Sequence, residues 1–151
     1  MIPGDLSGRL RFLLDTAAGA IVDAPARRLV GLSPVPVDCD MVAVGFVRAY
    51  RGTVGVEDRT PRQFSPGRVI EADVVVLRCH PTLDSRGNAP SPAAIQVAAL
   101  GAVADGFLVA DALEGAGWPN GHFQLGATSA LAPGGGFGGI SVRVQFRAIG
   151  T

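Results

Sequence analysis

Met41-Val42-Ala43-Val44-Gly45-Phe46-Val47-Arg48-Ala49-Tyr50-Arg51, answered by Val69-Ile70-Glu71-Ala72-Asp73-Val74-Val75-Val76-Leu77-Arg78-Cys79, decides the fold class. Successive side chains of a strand point to opposite faces, so period-two patterning specifies strands. In the first run Val42, Val44, Phe46 and Arg48 share one face, and Ala43, Gly45, Val47 and Ala49 the other. In the second, Ile70, Ala72, Val74 and Val76 share a face. The opposite face shows Glu71 and Asp73 before turning apolar at Val75 and Leu77. The two runs are expected to pair as a β-hairpin. Residues 52–66 join them as a long loop rich in Gly, Pro and charge (Glu57, Asp58, Arg59, Arg62). A connection of that length is uncommon unless it has a function or orders on binding.

Outward from the hairpin, Leu6 to Val22 has Leu6, Leu10, Leu13, Leu14, Ala17, Ala18 and Ile21 on one helical face, with Arg9, Asp15 and Thr16 off it. This spacing predicts an amphipathic helix closed by Pro25. Gly31 to Asp38, with Pro34 and Pro36, is expected to be an extended connector. Ser91 followed by Pro92 is a helix start signal: the hydroxyl caps, and proline fits the first turn. The helix it opens is apolar nearly all round. Ile95, Ala99, Ala102, Gly106, Val109 and Leu113 lie on one side, and Val97, Leu100, Ala104 and Leu108 on the other. Such a helix is expected to be covered on both sides, by the sheet and by a neighbouring subunit. Gly121 to Ala130 and Ile140 to Ile149 read as two further strands around a Gly-rich turn, Pro133 to Gly139. The expected architecture is one α+β domain spanning 1–151, in the order α-β-β-α-β-β. It has a mostly antiparallel four-stranded sheet with both helices on one face.

Thirteen basic and thirteen acidic residues give zero formal charge, which argues against a dedicated nucleic-acid-binding protein. Every basic residue is Arg, and the absence of Lys excludes Schiff-base, P-loop-lysine and Ser–Lys chemistry. Zero charge with a mean hydropathy of +0.34 leaves an isolated monomer poorly protected against association. The most apolar stretch, Ala93 to Ala110, carries Gln96, Asp105 and two glycines, so no membrane span is expected. The N-terminus lacks an apolar run of the secretory type, and a cytoplasmic place of synthesis is expected.

Gly134-Gly135-Gly136-Phe137-Gly138-Gly139 formally satisfies G-x-G-x-x-G. A dinucleotide site needs that motif to open a helix, whereas here a strand follows; it reads as a hairpin turn. Two Cys and two His fall short of a structural zinc site, so no metal and no cofactor are expected. His80 and His122 lie in no recognisable nucleophile context, and Ser85, Ser91 and Ser129 lack G-x-S-x-G surroundings. Asp84, Asp105 and Asp111 read as solvated or capping residues. No catalytic residue is assigned. The rival reading is a small-molecule-binding or hydrolytic α+β domain using Asp84, His80 or His122.

Cys39 and Cys79 are equidistant from Arg59, so a hairpin centred there would place them opposite one another. A disulfide between them would close a loop of about 40 residues and stabilise by roughly 4 kcal/mol in the chain-entropy model. Two partly buried free thiols are the alternative, favoured in a reducing cytoplasm. Arg48, Arg51, Arg59, Arg62 and Arg68 surround the hairpin loop, as a solvated rim or as contacts to acidic patches of a neighbour.

Cys39-Asp40-Met41-Val42-Ala43-Val44 and the run from Val74 through Cys79-His80-Pro81-Thr82-Leu83-Asp84 resemble segments of tail proteins from siphophages of actinobacteria. The resemblance continues through the Ala-rich helix from Ser91, Leu108 to Leu113, and the Gly-rich turn into Ile140 to Phe146. It covers residues 35–149. It departs from the family at Met41-Val42, where many relatives have Gln-Leu, and at Val142 and Val144, where they have aromatic residues. The family is that of tail terminator or neck-region proteins, and the implied fold is similar to the phage lambda tail terminator. The resemblance implies a virion protein forming a hexameric ring that caps the tail tube and meets the head–tail connector. Packaged DNA would pass through the bore without sequence-specific contact. A head-completion or tail-tube protein is the structural alternative.

Overall fold

The computed structural model describes residues 2–35, 40–59, 67–83, 85–134 and 137–148. Helix α1 spans Leu6–Ala20 and α2 spans Pro92–Glu114. The strands are β1 (Arg27–Leu32), β2 (Met41–Thr53), β3 (Val56–Glu57), β4 (Arg68–Cys79), β5 (Phe123–Gly134) and β6 (Phe137–Ala148). They form one six-stranded sheet in the order β1-β2-β4-β6-β5, with β3 paired to β2 off that path. β1 runs parallel to β2, and the other pairings are antiparallel.

The α+β class, the two helices and the mostly antiparallel sheet are as expected, but the four-stranded count is corrected. β1, an edge strand of six residues, takes residues 27–30, for which no element is expected, and the first two residues of the expected connector, Gly31 and Leu32. Its pattern is weak because it opens with Arg27-Arg28 and because a parallel partner leaves no turn signal. The turn after β1 crosses the face of the sheet opposite the helices, where Val35 packs with Met41, Ala43, Val75 and Leu77. Gly45 makes that crossing possible: a Cβ there would lie 3.1 Å from Val35 and 3.2 Å from the Ser33 side chain.

Both helices lie on the other face. Leu13, Leu14, Ala17 and Ala18 of α1 and Val109 and Leu113 of α2 share one core with Val42, Val44, the even residues 70–76 of β4, and Ile140, Val142, Val144 and Phe146 of β6. α1 packs against α2, β2 and β1, whereas α2 packs against β6 and β5. The caps are those expected for these sequences. Gly8 N donates to Asp5 Oδ2 at 3.1 Å, and Ala94 N to Ser91 Oγ at 3.1 Å. Gly106 lets α2 close onto the sheet, since a Cβ there would lie 2.7 Å from Ile140 Cγ1.

Arg9, expected off the buried face of α1, is buried. Its Nε donates to Pro3 O at 2.8 Å, its Nη1 donates to Arg147 O, and its guanidinium sits 5.5 Å from the Trp118 ring centroid. Burial lowers its pKa from the ordinary value.

The β2–β4 pairing has the register of a hairpin centred on residue 59, with Met41 opposite Leu77. A bulge between Phe46 and Arg48 then reverses the alternation. Arg48, expected to share the face of Val42 and Val44, stands instead on the opposite face, paired with Glu71. The long loop is also more ordered at its start than expected. A turn at Val54-Gly55 returns the chain as β3, and Gly55 reaches across the sheet to Gln145.

Candidate functional site

The sheet face opposite the helices carries a charged ladder across three strands. Arg48 of β2 faces Glu71 of β4, which faces Gln145 of β6. Arg48 Nε donates to Glu71 Oε2 at 2.8 Å, and Gln145 Nε2 to Glu71 Oε1 at 3.0 Å. Arg48 Nη1 also reaches Glu57 Oε2 at 3.1 Å, and the Tyr50 hydroxyl donates to Gln145 Oε1 at 2.8 Å. Beside this row, Arg143 Nη2 donates to Asp73 Oδ2 at 3.2 Å. Glu71 is nearly buried. That burial pushes its pKa up, but hydrogen bonds from Gln145 and Arg48, with the charges of Arg143 and Arg48, hold it below the ordinary carboxylate value. Hydrogen bonds to Glu71 and Glu57 raise Arg48, and the hydrogen bond to Asp73, ahead of the Glu71 charge, raises Arg143. Arg48, expected on a solvated rim or as a contact to a neighbour, is instead engaged within its own chain. The hairpin tip closes over one end of this face and Val35 over the other.

Arg51, Arg59 and Arg68 gather at the end of the β2–β4 ribbon around a shallow cavity that also takes in Glu57 and Asp58. Arg59 is exposed, its Nη2 3.9 Å from Glu57 Oε2. Arg62 lies outside the described residues, as does Cys39. Cys79 is disulfide-bonded.

The third feature is α2. Its C-terminal half is built into the core, where Asp105 is buried rather than solvated. Asp105 Oδ2 accepts from Arg78 Nε at 3.1 Å, and Arg78 continues to Asp23 O at 2.7 Å and Val22 O at 2.8 Å. One arginine thus ties α2, β4 and the end of α1 together. The N-terminal half leaves the sheet. Ile95, expected in the core, is exposed, and a groove of about 420 Å³ runs beneath Ala98 and Ala102 against Leu131 and Ile140. On the side of α2 away from the sheet, Val97, Leu100 and Phe107 are 72%, 61% and 63% exposed. By length and composition α2 could cross a membrane, which the reading of residues 93–110 did not expect. Its most apolar window is only 22% buried, so most of that surface lacks a partner among the described residues.

The residues of the rival hydrolytic reading do not converge. His80 packs against Gly138 at one end of β6, while the carbonyl of His122 accepts from Arg147 N at the other. Nine residues of strand separate those points, roughly 30 Å. Asp84 lies outside the described residues. His122 is partly buried, its Nδ1 without a hydrogen-bond partner among the described residues. Burial, followed by the charges of Arg9 and Arg147, lowers its pKa from 6.5. No cluster of three or more His, Cys, Asp or Glu side chains able to hold a metal occurs among the described residues. Most of the run expected as a turn, residues 133–139, lies in strands: Pro133 and Gly134 end β5 and Phe137, Gly138 and Gly139 open β6, so no helix follows the Gly-rich motif.

Compared with known families and with curated proteins, the chain matches no family model and no curated protein.

Proposed function

We propose that this chain is a virion structural protein, a phage tail terminator whose ring caps the tail tube and joins it to the head–tail connector. The observation that carries the reading is the outer side of α2, where Val97, Leu100 and Phe107 stand in water on a domain of zero formal charge. Large exposed apolar patches on folded domains mark interaction surfaces. A ring subunit acquires its cover from the next subunit. The resemblance over residues 35–149 supplies the phage class, and the α+β sheet with both helices on one face is compatible with it.

In this reading the chain works by assembly, without chemistry or cofactor of its own. Its partners are further copies, the tube protein and the connector, and it acts in the tail or neck of the virion. The Arg51, Arg59 and Arg68 end of the β2–β4 ribbon would meet acidic groups on one of those neighbours. Electron microscopy tests this directly. Purified protein should form six-fold rings, free or on tube ends, and a phage lacking it should make overlong or unjoined tails. Normal tails joined to heads would end the assignment, and loss of the tube altogether would point to a tube protein.

The apolar groove beside His80 favours a second reading, a binding site for a small apolar ligand. Saturable binding of an apolar fluorophore to a monomer, lost in Ala102→Phe, would support it.

A further inference from the structure

We infer that the outer ridge of α2 and the adjoining free edge of β5 form one contact surface, and that its occupant is a second copy of this chain. This rests on the assembly reading above and names the face that assembles.

Three observations converge. The first concerns which surfaces the chain covers for itself. The open face of the sheet is closed at one end by the β2–β3 hairpin, through Gly55 N to Gln145 Oε1 at 3.0 Å, and at the other by Val35. Among the described residues the ridge of α2 has no such cover.

The second is the edge beside it. β5 ends the sheet, and its outer side offers unpaired main-chain groups. Edge strands are ordinarily protected by shortness or by charge. β1, the opposite edge, has both, with six residues and Arg27-Arg28. β5 has neither, being twelve residues long and uncharged, although Pro133 near its end and bulges after Leu125 and Leu131 interrupt it. Because α2 packs on β5, one neighbour can cover the ridge and meet the edge together.

The third is composition and size. Between Ser91 and Ala110 the sole charged residue is Asp105, which is buried against Arg78. Contacts between unlike, transient partners are about as polar as the remaining surface, and charge selects the partner. Interfaces between identical subunits are the more apolar kind, and an uncharged face meets its own copy without repulsion. Val97, Leu100, Phe107 and the flanking Val103 and Leu108 expose on the order of 500 Å². With the β5 edge, that approaches the roughly 800 Å² per partner of a standard specific interface.

The test uses the full chain in sedimentation velocity and light scattering. The variants are Leu100→Glu with Phe107→Glu, separately Ser129→Lys on the β5 edge, and Val56→Glu as an exposed apolar position elsewhere. All four positions are exposed, so circular dichroism should match wild type and show that the fold is kept. Wild type and Val56→Glu should assemble. The α2 double variant should raise the dissociation constant at least a hundredfold, and Ser129→Lys should raise it measurably. A wild type that stays monomeric at all concentrations, including one that binds phosphatidylcholine vesicles as a monomer, overturns the inference. So does a double variant that assembles as wild type does. Six-fold rings that survive the double variant would defeat this contact and leave the ring reading standing. A variant-sensitive oligomer of another symmetry would support the contact and defeat the ring.

Discussion

Arg51 and Arg68 face each other directly across the antiparallel β2–β4 pairing. Like charges in that relationship repel, and nothing in local strand formation requires both. Arg68→Glu should therefore stabilise the domain by about 0.2–1 kcal/mol, as opposite charges replace like ones. Thermal unfolding checks this, and an unchanged or lower midpoint would contradict it. If the chain is the proposed tail terminator and this end of the ribbon meets an acidic neighbour, the same exchange should also impair tail joining.

Arg78 and Asp105 are expected to behave differently from surface charges. Removing one member of a mostly buried pair strands the other, so Asp105→Ala should cost about 3 kcal/mol. Arg78→Met combined with Asp105→Leu should cost less than Asp105→Ala alone. Denaturant titration of the two variants measures the difference, and equal losses would show that the pair is not coupled.

Stability should fall on acidification in two ranges. His122 is held below its ordinary value of 6.5 and Glu71 below its ordinary 4.5, so at both groups the unfolded chain takes up protons more readily. Their contribution is complete above those ordinary values. It is lost for His122 as pH falls from 6.5 through its folded pKa, and for Glu71 below 4.5. Denaturation midpoints across pH should show His122→Asn flattening the upper range and Glu71→Gln the lower. Stability that rises as pH drops through either range would contradict this.

Cys79 is disulfide-bonded, and the chain has one other cysteine, Cys39. Alkylation of air-exposed, denatured protein without reductant should modify neither. Reduction should lower stability by roughly 4 kcal/mol, as expected for a closed loop of about 40 residues. Two alkylated thiols in the unreduced sample would rule the bond out.

Most of the fold was legible because its signals are local. The Ser91-Pro92 start, the alternation of Ile140 to Phe146 and the apolar face of α1 each depend on a few neighbouring residues. What stayed hidden depends on distant ones. β1 is short and draws its pairing from β2. Arg9 is buried because Pro3 and Arg147 offer it main-chain acceptors, which no spacing reveals. Arg48 was placed on the wrong face because one extra residue in a ladder reverses everything after it. A charge ending an otherwise apolar face, as Arg48 ends Val42-Val44-Phe46, was the available hint. The exposure of α2 was half legible: its composition demanded cover on both sides, but the lift of its N-terminal half away from the sheet is tertiary.

The order of the strands also sets a timetable. β6, the last of the six in chain order, lies inside the sheet between β4 and β5. During synthesis, β2 and β4 are complete long before β6 leaves the ribosome, and β4 waits with one bare side. α2 waits as well, because Ile140, the seat of Gly106, arrives with β6. Non-local pairing of this kind slows folding and prolongs exposure of apolar surface. The nascent chain is thus most vulnerable to aggregation just before the dozen residues of β6 emerge.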